Sequence, residues 1–241
     1  MKKATGFVII GVFLSQWALA SNEVLSGNIV GYQTITVSNK GYYMVAQPFN
    51  VLGRKDINSV IGTQLSTGTS VAVADNISFY DNAGQTYIAN NWLRSSDGKW
   101  CQGAGLSTQT VDAGRCFWMK LNTNLRQQVT ILGEVVTDGV ITQTLYQGVN
   151  MVAYPYSANL SVTNTGLDAV AVAGNTSSAA DQIIKFNPAT QGYDTYWKSA
   201  IGWKKGSAVN APELKTGEAF WFLRRLSGTT NWVEIMPYKL L

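Results

Sequence analysis

An all-β protein built as two tandem homologous antiparallel β-sandwich-like domains is the fold the sequence predicts. Three observations predict it. "GRCFWMK" at residues 114–120 returns as "GEAFWFL" at 217–223. Side chains alternate with a period of two, Tyr32, Thr34 and Thr36 against Gln33, Ile35 and Val37. Clusters of Gly, Asn and Asp interrupt this pattern at roughly 8–12-residue intervals, the spacing of an antiparallel meander or sandwich.

Taken in order, residues 1–20 read as a signal peptide. Lys2 and Lys3 precede a short apolar stretch and the small-x-small ending Ala18-Leu19-Ala20. The apolar run is too short to span a bilayer, so no transmembrane segment is expected after cleavage. Domain 1 covers 21–137 and domain 2 covers 138–241. The unit opens with Gly27-Asn28-Ile29-Val30, which returns as Gly133-Glu134-Val135-Val136. Gly41 to Phe49 reads against Gly148 to Tyr156, with Pro48 and Pro155 at strand ends, where a missing N–H does least harm. "KDINSVIG" and "TNTGLDAVAVAG" each suit a short helix or turn. Asp75 to Tyr87 pairs with Asp181 to Tyr193, Trp92 with Trp197, and Trp100 with Trp203. Asp112-Ala113-Gly114 and Lys215-Thr216-Gly217 are turns with glycine at the positive-φ position. Val129-Thr130-Ile131 and Val233-Glu234-Ile235 close the units.

Charge narrows the partners. The chain has 18 Lys and Arg against 14 Asp and Glu. Losing Lys2 and Lys3 leaves 16 against 14, a net +2, and the only adjacent basic pairs are Arg54-Lys55, Lys204-Lys205 and Arg224-Arg225. No basic track suits nucleic acid. The chain has no histidine, which excludes His-based triads and imidazole ligation of metals. No glycine-rich phosphate loop is present, and no cofactor is expected. Asp75 and Asp181 are the best-matched carboxylates, and each suits a turn cap accepting backbone N–H bonds. Asp75, Asn76, Asp81 and Asn82, partly repeated by Asp181 and Asn187, offer hard oxygens but not the EF-hand spacing. No metal site and no catalytic residue is assigned, and the chain is read as a non-enzyme.

The stretches "GYYMVAQP", "GVNMVAYP", "VDAGRCFW" and "LKTGEAFW" resemble secreted β-modules of bacterial surface proteins. Those carry G-x-x-x-[IV]-[AS]-x-P early in the unit and L-x-x-G-x-[AG]-[FY]-W late. The resemblance spans nearly the whole mature chain and implies an exported β-domain without specifying an activity. Many such proteins end in anchoring or sorting segments, and the ending "VEIMPYKLL" is not one.

The duplication acts as an internal control. Cys101 falls opposite Lys204 and Cys116 opposite Ala219, so both cysteines are confined to one copy. Shared absence together with export predicts a Cys101–Cys116 disulfide, worth roughly 3 kcal/mol from the restricted unfolded loop. In "CFWMK", Phe117 and Met119 point one way while Trp118 and Lys120 point the other. "AFWFL" has the same arrangement, so these strands are apolar on both faces and two such faces could meet between the domains. Trp92 and Trp197 stand in loop-like, polar surroundings. With Tyr87 and Tyr196 they are the candidate ligand-binding residues, suited to stacking on sugar rings. The leading functional expectation is a secreted (periplasmic, cell-surface or extracellular), non-catalytic interaction or structural protein. Its partners would be copies of itself or a surface polysaccharide. The alternatives are a carbohydrate-binding protein with Trp/Tyr platforms and a glycan-active enzyme using carboxylates.

Overall fold

The period-two stretches fold as antiparallel strands in a computed structural model that describes residues 29–37, 39–88, 90–124 and 127–238. The expected signal peptide and the Gly27-Asn28 opening lie outside the described residues. The protein is all-β and sandwich-like, relieved by two short helices, Ile57–Val60 and Gly166–Val170, and a 3-10 turn at Val162–Asn164. The two helices fall within the stretches expected to hold a short helix or turn, and the 3-10 turn begins one residue before the second of them. Asp56 caps the first helix, its carboxylate accepting the Ser59 N–H at 3.2 Å. Among the described residues no helix is long and apolar enough to cross a membrane.

Two sheets set the architecture. One runs Gly41–Ala46, Cys116–Leu121, Asn76–Asp81, Asn91–Arg94, Lys99–Gln102, Gly105–Leu106. The other runs Val140–Ala153, Ala219–Ile235, Gln182–Asn187, Gly192–Ser199, Gly202–Lys205, Ala208–Val209. The aromatic strand second in each order is buried on both faces, one against its own core and the other at the junction. Phe117 and Met119 join a core with Ile57, Trp100 and Ile131. Phe220 and Phe222 join a second core with Tyr154, Trp203 and Trp232. The opposite faces meet: Met44, Ala46, Tyr80, Cys116 and Trp118 pack against Met151, Ala153, Ala219 and Trp221. Gly114 and Gly217 take φ of 76° and 69° in the expected turns.

The expected disulfide is not formed. Cys101 and Cys116 are both free and buried. Their strands share one sheet, but Asn76–Asp81 and Asn91–Arg94 lie between them. Three inter-strand steps make about 14 Å, whereas a bridge needs Cα atoms within about 7 Å. Burial pushes both thiols up, that of Cys116 to about 12. Cys116 and Ala219 both lie in the tight junction, whereas Cys101 opposes Trp92 and Lys204 lies over the Trp197 ring.

Candidate binding groove

Residues directly opposed in antiparallel strands share a face, so register alone assembles a row across the first sheet. Tyr42 opposes Lys120, Lys120 opposes Asn76, Asn76 opposes Trp92, and Trp92 opposes Cys101. The next row sets Met44 against Trp118 and Trp118 against Ser78. Where this face leaves the junction it opens into a groove of about 720 Å³. Tyr42, Trp118 and Tyr87 line it from the first sheet, and Phe186 and Tyr193 from the second. Asn76, Ser78, Asn90, Lys120 and Gln191 supply its polar atoms. Among the described residues no carboxylate lines it.

Aromatic contacts fix the walls. Phe186 meets Trp118 edge-on at 4.8 Å, and Tyr80 meets Trp221 in the same way at 4.9 Å. Tyr193 leans on Phe186 and Tyr87 on Tyr80, both at 5.2 Å. These are edge-to-face geometries favoured by the ring quadrupoles. Tyr42, Tyr87 and Tyr193 remain about half exposed, at 46%, 54% and 55%. Burial raises the Tyr87 phenol, opposed by the Trp118 indole N–H beside it. That N–H makes no hydrogen bond of standard geometry, and Asn76 Oδ1 is likewise buried without a partner. Lys120 makes no ion pair among the described residues.

The second sheet builds the same rows with different chemistry. Val149 opposes Leu223, Leu223 opposes Gln182, and Gln182 opposes Trp197. Its groove is smaller, about 320 Å³, and is lined by Val149, Ile184, Tyr193, Thr195 and Trp221. Val149, Ile184 and Leu223 hold the register positions that Tyr42, Ser78 and Lys120 hold in the first sheet, so this lining is less polar.

No known protein family, curated protein or solved structure matches the chain.

Of the four sequence-predicted ligand residues, Tyr87 lines the groove and Trp92 lies in its row, one strand beyond Asn76. Trp197 and Tyr196 lie elsewhere and do not form one platform. Trp197 shares its face with Gln182, whereas Tyr196 opposes Ile183 and packs on the second core. Trp92 and Trp197 sit on strands Asn91–Arg94 and Gly192–Ser199 rather than in loops. Their indole N–H groups reach the following turns, at Gly103 O (3.4 Å) and Gly206 O (3.2 Å). Lys204 lies 5.1 Å over the Trp197 ring and Lys205 lies 5.7 Å from the Tyr196 ring, so cations already occupy both.

Sequence reasoning missed Tyr42, Asn76, Ser78, Asn90, Phe186, Gln191 and Tyr193 as site residues. Alternation had placed Trp118 and Lys120 on one face, and the same logic extends across a sheet only once the register is known.

Asp75 and Asp181 serve structure. Asp75 accepts the backbone N–H of Ser66 and of Asn122, both at 2.8 Å. Asp181 accepts those of Val172 at 2.9 Å and Arg225 at 2.7 Å. Each buried carboxylate thereby ties its strand to a loop and to the end of the aromatic strand. Asp81 accepts the Ala83 N–H, and Asn82 is spent on Met151. Among the described residues there is no group of three or more His, Cys, Asp or Glu that could hold a metal.

Proposed function

We propose that this chain is an exported, non-catalytic binding protein of the cell surface that holds a saccharide chain in the polar groove. The observation carrying this reading is the groove's composition: half-exposed tyrosines offering flat faces, neighbouring amides and a hydroxyl, and no carboxylate. Sugars present apolar C–H faces to aromatic rings and hydroxyls to amides. Hydrolysis would need two carboxylates across one bond, and this lining provides neither. We further propose that the chain is a tandem duplication of one β-module, like the bacterial surface modules its motifs resemble. The matching order of six strands in the two sheets, the first carrying Thr86–Tyr87 as a seventh, supports this, as do the matched bonds of Asp75 and Asp181.

The test is co-sedimentation of residues 21–241 with insoluble polysaccharides and bacterial cell walls, comparing wild type with Tyr42→Ala/Tyr193→Ala. Retention of wild type and loss of the variant are expected. Equal retention of both would place binding elsewhere.

A second reading, a self-associating structural component, draws on one observation. Val30, Tyr32 and Leu132 are 60% or more exposed on the hairpin that pairs Val30–Val37 with Gln127–Val135. Light scattering at several concentrations tests it, and growth in mass abolished by Tyr32→Lys would support it.

A further inference from the structure

Resting on the saccharide reading, we propose that the groove selects an acidic sugar, one whose ring carries a carboxylate, and that Lys120 receives that carboxylate. Lys120 stands mid-row, flanked on the same face by Tyr42 and Asn76. It is partly buried, and among the described residues it makes no ion pair and no acidic residue lines the groove around it. An unpaired ammonium between aromatic walls has already lost part of its water, so an arriving anion is screened less than at an open surface.

The second copy provides the comparison. Leu223 takes the place of Lys120, Ile184 that of Ser78, and the groove shrinks to about 320 Å³. The cation therefore belongs to the roomier, polar copy rather than to the fold as such. A single lysine suits one carboxylate. A phosphate would call for several converging donors or an arginine fork, and among the described residues the lining holds no arginine.

The remaining chemistry fits the same ligand. Tyr42 and Tyr193 offer faces on the two sides of the groove, and Asn90 and Ser78 form a hydrogen-bonded pair at its rim. The Trp118 indole N–H, with the Tyr87 phenol beside it but no hydrogen bond of standard geometry, and Asn76 Oδ1, buried without a partner among the described residues, lie on the residues flanking Lys120. Small shifts of the half-exposed tyrosines would bring ligand hydroxyls toward both atoms.

The test is a tryptophan-fluorescence titration of residues 21–241 with an oligomer of galacturonic acid, its methyl ester of equal length, and a neutral galactose oligomer. Wild type should bind the acid about ten-fold more tightly than the ester, with the preference shrinking as salt is raised. Lys120→Met should bind acid and ester alike, and Lys120→Arg should keep the preference, showing that a cation at this place and not the fold is at stake. Equal binding of acid and ester by wild type, weakened in both cases by Tyr42→Ala, overturns the acidic preference and leaves the groove reading standing. Failure of wild type to bind any of the three oligomers overturns both.

Discussion

Gln85 holds the backbone of Val149 from across the junction. The Val149 N–H donates to Gln85 Oε1 at 2.8 Å, and Gln85 Nε2 donates to the Val149 carbonyl at 2.8 Å. Gln191 does the same in the other direction: the Tyr42 N–H donates to its Oε1 at 2.7 Å and its Nε2 donates to the Tyr42 carbonyl at 3.2 Å. Both glutamines have a left-handed backbone, φ 50° and 52°, and both held residues follow a positive-φ glycine, Gly148 and Gly41. Each amide thus stands in for a neighbouring strand and closes a sheet edge that would otherwise offer unpaired groups. Removing the amides by Gln85→Ala/Gln191→Ala should cost about 2–4 kcal/mol, read as a lowered urea midpoint.

Gly148→Ala should be destabilising for two reasons. Its φ is 95°, and a Cβ there would lie 2.2 Å from Gln85 Oε1. A cost of about 1–3 kcal/mol is expected. In a double-mutant cycle with Gln85→Ala the two losses should overlap rather than add, because both break one contact.

Asp75→Asn and Asp181→Asn should each lower stability by about 2–4 kcal/mol. An amide can turn only one oxygen toward the two backbone donors and sets an NH2 group against the other. Saccharide retention by whatever fraction stays folded should be unchanged.

The free thiols give a labelling prediction. In the native protein, iodoacetamide should modify neither Cys101 nor Cys116, because both are buried and burial holds both thiols protonated. After unfolding in guanidinium without reductant, both should be modified, as mass spectrometry would show.

Glu234 gives a pH prediction. Burial raises its carboxyl above the ordinary value, opposed by bonds from the Trp232 indole and the Gly166 N–H. A folded pKa above the unfolded one means the native state binds the extra proton, so this contribution to stability is complete below the unfolded pKa. It is lost as pH rises through the folded value. Urea unfolding of wild type relative to Glu234→Gln should show a difference that declines as pH rises across that window and is flat below it.

Much of the scaffold was legible in the sequence because recurring short stretches and period two are local signals. Repeated "FW" strands with small or polar flanks foretold faces buried on both sides, and the glycines at 114 and 217 foretold their turns. The expected disulfide fails because absence of both cysteines from a similar stretch says nothing of distance, and two intervening strands keep Cys101 from Cys116. The groove was hidden for a related reason. Asn76, Lys120 and Tyr42 become neighbours only through strand pairing, and Tyr193 arrives from the other sheet through the junction.

The most direct measurement is a 15N spectrum of the tryptophan indole groups, recorded while the oligosaccharide retained by the protein is added. The groove predicts movement of the Trp118 resonance, with those of Trp100, Trp203 and Trp232, sealed in the two separate cores, staying in place. A bound saccharide that shifts Trp197 and leaves Trp118 untouched would contradict it.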